Sequence, residues 1–308
     1  MTKEAWQTPP APNTATSGGH EVLPRALFID PPADRSAPAQ TLAQAIPSSG
    51  VNLNAVLLTA AGAGPHPTVL LLHGLPGNEQ NLDLAQSIRR AGWNVLTLHY
   101  RGSWGSPGAF SFRHCLEDGC AAVEWLRGDG ADRVPQIDRG IIAVIGHSMG
   151  GFVAAYVASL NSTVLGAGLI SGVALGPEFG SPNEAEPASI VDENIGASEG
   201  LHILAGTSPK MLAEEASNRF AEWRLDAFAT ALAGRPLLLV TSDDGFSGGS
   251  AALARAIEGT GCQNLRRAHL HTDHSYSDHR IALQIEVLAW LDALREDRSP
   301  NLNGERPQ

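Results

Sequence analysis

Apolar and polar residues follow two regular periods along most of this chain. Residues 51–58 alternate one by one between apolar and polar, which predicts a half-buried strand. Residues 68–72 form a continuous apolar run between turns, as expected for a strand covered on both faces. Residues 81–91 place their apolar side chains on one helical face, and a glycine follows. The regular part of the chain therefore starts with two strands and a helix.

The same alternation of strand and helix patterns continues toward the C-terminus. Further strands are predicted at 93–100, 141–145, 164–171, 236–241 and 265–271, and further helices at 115–127, 152–160, 251–257 and 281–294. Repeated strand–helix units predict an α/β fold, with a mostly parallel central sheet and helices on both faces.

Two segments depart from this rhythm. Residues 1–50 are rich in Pro, Ala, Ser and Thr and predict an irregular N-terminal arm. Residues 173–234 contain no clear strand, and a long insertion between two strands is typical of a helical cap or lid over a site. The expected division is an arm, a main domain in two pieces, a cap and a C-terminal tail, at 1–50, 51–172 with 235–295, 173–234 and 296–308.

Composition narrows the possible functions. Hydrophobic residues make up 43% of the 308 residues, so a packed globule is expected. A net charge of −11 argues against nucleic acids and anionic membrane surfaces as partners. Three cysteines are too few for a disulfide scaffold. The sequence has neither a secretory signal nor an apolar run long enough to span a membrane, so a cytoplasmic location is expected, with secretion left open for a longer precursor.

The strongest chemical motif is Gly146-His147-Ser148-Met149-Gly150, which matches G-x-S-x-G. It lies between the predicted strand 141–145 and a helix, the context that a nucleophile elbow requires. Glycines on both sides of the serine allow a sharp turn that other side chains would block. The serine hydroxyl then lies beside a helix N-terminus, which favours developing negative charge.

A second motif, H-G-L-P-G-N from His73, directly follows the predicted strand 68–72. Backbone amides in such a turn can stabilise an oxyanion, and the amides of Leu75 and Met149 are the expected pair. The His73 side chain itself is expected to hold the loop by hydrogen bonds.

Together with Y-R-G from Tyr100 and G-S from Gly105, these motifs resemble the α/β-hydrolases, and more narrowly the esterases and prolyl-oligopeptidase-like hydrolases. The resemblance covers about residues 51–294 and implies an α/β-hydrolase fold. It also implies a serine nucleophile, Ser148, followed along the chain by an acid and then a histidine.

Two adjacent acids, Asp243 and Asp244, follow the predicted strand 236–241. Asp243 is preferred because the first Asp of such a pair takes the role in similar prolyl-oligopeptidase-like sequences, and Asp244 is held in reserve. His274, in an Asp-His pair before the final helix, resembles the general base of the family, and His279 is the reserve.

The segment from His269 to His274 also reads H-x-H-x-D-H, which resembles the metal signature of metallo-β-lactamase-like hydrolases. That family carries the motif early in the chain and needs further ligands downstream, and here His279 is the only later histidine. The sequence therefore predicts no metal and no cofactor, with His269 and His271 as structural residues.

The predicted activity is hydrolysis of small carboxylic esters through an acyl-enzyme, with similarity to feruloyl esterases as well. Trp104, Phe110 and His147 are the candidate substrate contacts. The alternatives are a small peptidase or amidase and, outside enzymes, a binding protein on the same scaffold. The expected partner is a small-molecule ester, and the sequence does not indicate an oligomeric state.

Overall fold

The computed structural model describes residues 23–182, 200–262 and 264–296. Eight strands form one sheet: β1 (Gln40–Ser48), β2 (Val51–Thr59), β3 (His66–Leu72), β4 (Asn94–Leu98), β5 (Ile137–His147), β6 (Ala167–Ile170), β7 (Leu237–Ser242) and β8 (Leu265–Leu270). Their order across the sheet is β1-β2-β4-β3-β5-β6-β7-β8. β2 pairs antiparallel with β1 and β4, and every other neighbouring pair is parallel. The predicted α/β fold with a mostly parallel sheet is confirmed.

Helices cover both faces of the sheet. They are α1 (Leu82–Arg90), α2 (Phe112–Arg127), α3 (Asp129–Arg133), α4 (Met149–Leu160), α5 (Leu175–Phe179), α6 (Pro209–Asn218), α7 (Ala229–Leu232), α8 (Ser247–Glu258) and α9 (Arg280–Glu296). Side chains of β3 alternate between two apolar layers, because successive residues of a strand point to opposite faces. Leu70 and Leu72 pack in the layer with α2 and α4, whereas Val69 and Leu71 pack in the layer with α1 and α9. None of the described helices has the length and apolar character needed to cross a membrane.

Strand β1 corrects the prediction of an irregular arm over residues 1–50. Residues 40–48 pair along their whole length with β2 through a tight hairpin, in which Ser49 and Gly50 both have positive φ. The strand was missed because it is an edge strand that contains Pro47 and is rich in Ala and Gln, so its apolar alternation is weak. Residues 1–22 of the predicted arm lie outside the described residues.

The described parts of the predicted insertion contain α5, α6 and α7, while residues 183–199 lie outside the described residues. The insertion is fastened to the loop between β4 and α2. The amide of Ala205 donates to the carbonyl of Gly102 at 2.7 Å, and the amide of Phe110 donates to the carbonyl of Ala205 at 2.8 Å. Its role as a cap stays a prediction, as does the division into domains; the tail beyond 296 also lies outside the described residues.

Candidate active site

Ser148 lies in a strained turn between β5 and α4, with φ 57° and ψ −125°. The turn depends on its glycines. A Cβ atom on Gly146 would lie 1.9 Å from the carbonyl oxygen of Gly150, and one on Gly150 would lie 2.3 Å from that of Leu72. The Ser148 amide donates to the Ile170 carbonyl at 2.9 Å, which fixes the turn against the neighbouring strand. A positive φ at a serine held in this way is the kind of strain that occurs at functional sites.

The loop after β3 lies directly beside this serine. A Cβ atom on Gly74 would lie 2.7 Å from Cβ of Ser148, so glycine allows the close approach. The amides of Leu75 and Met149 donate to no acceptor within the described parts of the chain. Met149 is the first residue of α4, where backbone amides have no partner within the helix. Two amides next to the serine hydroxyl can thus donate to an oxyanion.

Two side chains hold this loop. Nδ1–H of the buried His73 donates to the Gly74 carbonyl at 2.7 Å, as the sequence suggested. Burial lowers the pKa of His73 to about 4, so its ring is neutral near pH 7. On the other side, Nε1–H of Trp104 donates to the Pro76 carbonyl at 2.9 Å. Trp104 is a loop anchor in the structure, and its contact with substrate stays a prediction.

The structure pairs His274 with Asp244, at 2.7 Å between Nδ1 and Oδ2. The side chain of Asp244 is only 2% exposed, whereas that of Asp243 is 56% exposed and bonds His269 and His271 instead. This corrects the preference for Asp243. Both acids lie in the bend directly after β7, where the chain turns one carboxylate inward to His274 and the other outward to the sheet edge.

The Asp244 carboxylate is held ionised. Burial on its own raises the pKa of this group, but hydrogen bonds from His274, from Ser171 and from the Phe246 amide, the last at 2.8 Å, outweigh it and keep the pKa well below its usual range. An ionised carboxylate accepts the Nδ1 proton of His274 and so leaves Nε2 as the basic nitrogen. That is the tautomer a general base requires.

His147 is buried, and its contact with substrate stays a prediction. Its Nε2–H donates to the backbone carbonyl of His274 at 2.7 Å, and the two rings lie 4.8 Å apart between centroids. Burial, with a smaller contribution from His274, lowers the pKa of His147 to about 3. The residue before the serine therefore supports the loop that carries the histidine.

A network of hydroxyl groups behind Asp244 was not predictable from the sequence. Ser171 Oγ lies 2.9 Å from Tyr276 Oη and 3.0 Å from Ser242 Oγ, and Tyr276 also donates to the Val240 carbonyl at 3.2 Å. Ser171 and Tyr276 both have positive φ. Nothing in the sequence marked them, because the three residues come from separate segments that meet only in the folded sheet.

Phe110 is also placed differently from the prediction. Its side chain is 2% exposed and packs edge-on against Phe112, with ring centroids 6.5 Å apart. An apolar side chain this deeply buried contributes to the core and is not accessible to substrate.

The H-x-H-x-D-H segment does not form a common ligand set. His269 and His271 meet at Asp243, whereas His274 turns to Asp244. Asp273 accepts the Ser277 amide at 2.8 Å. The reserve histidine, His279, hydrogen-bonds Asp278 at 2.8 Å and is not brought to either candidate acid. Strand alternation and a turn separate residues that are adjacent in sequence.

Known proteins share this fold. A family model described as the α/β hydrolase fold matches residues 67–193. An acylaminoacyl peptidase of Pyrococcus horikoshii aligns at 16% identity and TM-score 0.61, over 82% of this chain and 41% of the peptidase. An esterase of Pyrococcus furiosus aligns at 16% identity and TM-score 0.59, over 86% of this chain and 99% of the esterase. Est1E of Butyrivibrio proteoclasticus, solved with ferulic acid bound, aligns at 17% identity and TM-score 0.60, over 82% of this chain and 99% of Est1E.

These solved structures are similar in fold, at identities too low to carry over an activity. This chain spans less than half of the acylaminoacyl peptidase and nearly all of the Pyrococcus furiosus esterase and of Est1E. The sequence match over residues 67–193 and the eight-stranded sheet together show that the chain has the α/β-hydrolase fold.

Proposed function

We propose that this protein is a serine hydrolase that cleaves carboxylic esters of small acyl groups through an acyl-enzyme intermediate. The observation that supports it most directly is the 2.7 Å bond between His274 and the buried Asp244, next to the elbow that carries Ser148. His147 links the elbow to the loop that carries His274, because it directly precedes Ser148 and bonds the backbone carbonyl of His274.

In the proposed reaction, Nε2 of His274 takes the proton of Ser148 as its Oγ attacks the ester carbonyl. The amides of Leu75 and Met149 stabilise the resulting oxyanion. His274 then protonates the leaving alcohol, and Asp244 stabilises the imidazolium. Water enters, His274 acts as base again, and the carboxylic acid leaves with Ser148 restored. The chain needs no metal or cofactor for these steps.

Two observations support small esters as the proposed substrates. The chain aligns with 99% of the length of the Pyrococcus furiosus esterase and of Est1E, which was solved with ferulic acid bound, and with only 41% of the acylaminoacyl peptidase. The insertion also approaches the proposed oxyanion loop, since a Cβ atom on Gly200 would lie 2.7 Å from Pro76 Cγ. That contact supports a cap over the site, which would enclose a small substrate.

The first test is the Ser148→Ala variant, assayed on p-nitrophenyl acetate and butyrate. We expect kcat to fall by about 10⁶-fold, as for other serine nucleophiles. Ser162→Ala, on the exposed turn after α4, is the matched control and should keep full activity. A fluorophosphonate probe should label the wild type and the control only. Ester hydrolysis at the wild-type rate in Ser148→Ala would overturn the proposal.

A second assay separates esterase from peptidase. An aminoacyl p-nitroanilide is compared with the p-nitrophenyl ester at matched concentrations. We expect the ester to have the higher kcat/KM; the opposite order would replace the esterase proposal by the peptidase or amidase alternative.

A further inference from the structure

A cluster of three side chains lies at the outer edge of the sheet, on the opposite side of the chain from the Asp244–His274 pair. We call Asp243, His269 and His271 the edge cluster. Asp243 Oδ1 lies 3.0 Å from Nε2 of His269, and Oδ2 lies 3.1 Å from Nδ1 of His271. One ligand atom from each residue lies within 4.8 Å of the other two. The proposed ester hydrolysis uses none of the three.

Backbone geometry holds the cluster together. His269 lies on β8, the last strand of the sheet, and His271, two residues later, directly follows the strand. The two rings meet edge to face with centroids 5.0 Å apart. Asp243 follows the neighbouring strand β7, and its amide donates to the Thr272 carbonyl at 3.1 Å. The pairing of β7 with β8 therefore places His269 on a strand and places Asp243 and His271 directly after the two paired strand ends.

The surroundings also suit a metal ligand set. Thr241 Oγ1 lies 2.9 Å from Nδ1 of His269. A hydroxyl can donate or accept, so it satisfies Nδ1 when Nε2 carries a proton and also when Nε2 binds a metal. Among the described residues, the Asp243 carboxylate pairs with no lysine or arginine, only with the two imidazoles.

We propose that the edge cluster binds one divalent transition-metal ion of the zinc and nickel class, through a carboxylate oxygen of Asp243, Nε2 of His269 and Nδ1 of His271. Two imidazoles and one carboxylate are the donors such ions prefer, whereas magnesium and calcium require several oxygen ligands. All three side chains are exposed, so water completes the coordination and the ion exchanges with solvent.

Metal binding would join the two segments that carry the proposed catalytic pair. Asp243 immediately precedes Asp244, and His271 lies three residues before His274. An ion bound to both segments stabilises the native arrangement by mass action, because the unfolded chain does not hold the three ligands together. The ion is a stabilising ligand in this proposal and takes no part in the reaction.

The test is calorimetric titration of chelator-treated protein with Zn²⁺, Ni²⁺ and Mg²⁺. We expect the wild type to bind one Zn²⁺ or one Ni²⁺ per chain. His271→Ala and the near-isosteric Asp243→Asn should bind the ion at that site about tenfold more weakly or not at all. His202→Ala, which removes an exposed histidine elsewhere, is the matched control and should bind as the wild type does. Equal Zn²⁺ binding in all four proteins, no binding in the wild type, or equally tight Mg²⁺ binding would each overturn the proposal.

Thermal unfolding gives an independent measurement. Zn²⁺ should raise the Tm of the wild type and of His202→Ala, and leave that of His271→Ala unchanged. Ser148→Ala should bind Zn²⁺ as the wild type does, so failure of the metal proposal and failure of the proposed ester hydrolysis are distinguishable. An equal rise of Tm in His271→Ala would contradict binding at the edge cluster.

Discussion

Asp243 and Asp244 are adjacent in sequence yet belong to two different regions of the molecule. Asp244 turns inward to His274 and is supported by the hydroxyls of Ser171 and Tyr276. Asp243 turns outward to two exposed histidines at the sheet edge. Both regions contain carboxylates bonded to imidazoles, so residue type alone does not distinguish them. Burial and the second layer of hydrogen bonds do, and they are the basis for proposing proton transfer at the inward pair and metal binding at the outward cluster.

The strongest test of this contrast compares His274, the preferred general base, with His279, the reserve candidate. His274→Ala should lower kcat by about 10⁶-fold, because the general base is lost. His279→Ala should change kcat little, since His279 bonds Asp278. Steady-state kinetics on p-nitrophenyl butyrate measures both. The reverse order of effects would move the general base to His279.

The two acids give the next largest effect. Asp244→Asn keeps the shape of the side chain but favours the wrong tautomer of His274, so kcat should fall by about 10⁴-fold. Asp243→Asn, assayed in the presence of chelator, should show a far smaller fall in kcat, because the carboxylate of Asp243 does not bond His274. Comparable losses in the two variants would mean that both acids act on the histidine.

The buried His147 predicts an acid-sensitive stability. Its pKa is about 3 in the fold against 6.5 in an unfolded chain, so between these values the unfolded state binds more protons. Stability is therefore full above pH 6.5 and is lost as the pH falls. His147→Gln removes this dependence. From pH 7 to pH 5, the free energy of unfolding of the wild type should therefore fall by about 1–2 kcal/mol more than that of His147→Gln.

Urea unfolding at the two pH values measures this difference. His202→Gln is the matched control, because it removes an exposed histidine and should follow the wild type. If His147→Gln loses as much stability on acidification as the wild type, the acid sensitivity resides elsewhere.

The hydroxyl network gives the smallest expected effect. Tyr276→Phe removes the bonds to Ser171 and Val240 and should cost about 1 kcal/mol of stability, with a modest loss of kcat/KM. Tyr156→Phe is the control, since its hydroxyl bonds no described residue. Urea unfolding and esterase kinetics check both variants. Equal unfolding free energies for Tyr276→Phe and the wild type would show that the network does not support the inward region.

Much of the fold was predictable because hydrophobic periodicity reflects burial directly. The apolar run at 68–72 lies within β3, and the serine motif lies between β5 and α4 as expected. β1 was not predictable, because an edge strand has one neighbour and tolerates Pro47 and polar residues. Phe110 was misjudged for a related reason: a loop aromatic looks the same in sequence whether it lines a pocket or fills the core.

The sequence by itself determined the class of fold, the elbow with Ser148, the loop from His73 and the candidate histidines. These features depend on local spacing and on positions where only glycine fits. Only the tertiary structure decided which acid meets His274, that His147 supports the histidine loop, and that His269 and His271 gather around Asp243. Those outcomes depend on side-chain direction at strand ends and on segments brought together by sheet pairing. In the bends that follow β7 and β8, adjacent residues turn to different sides, and neighbours in sequence become parts of separate sites.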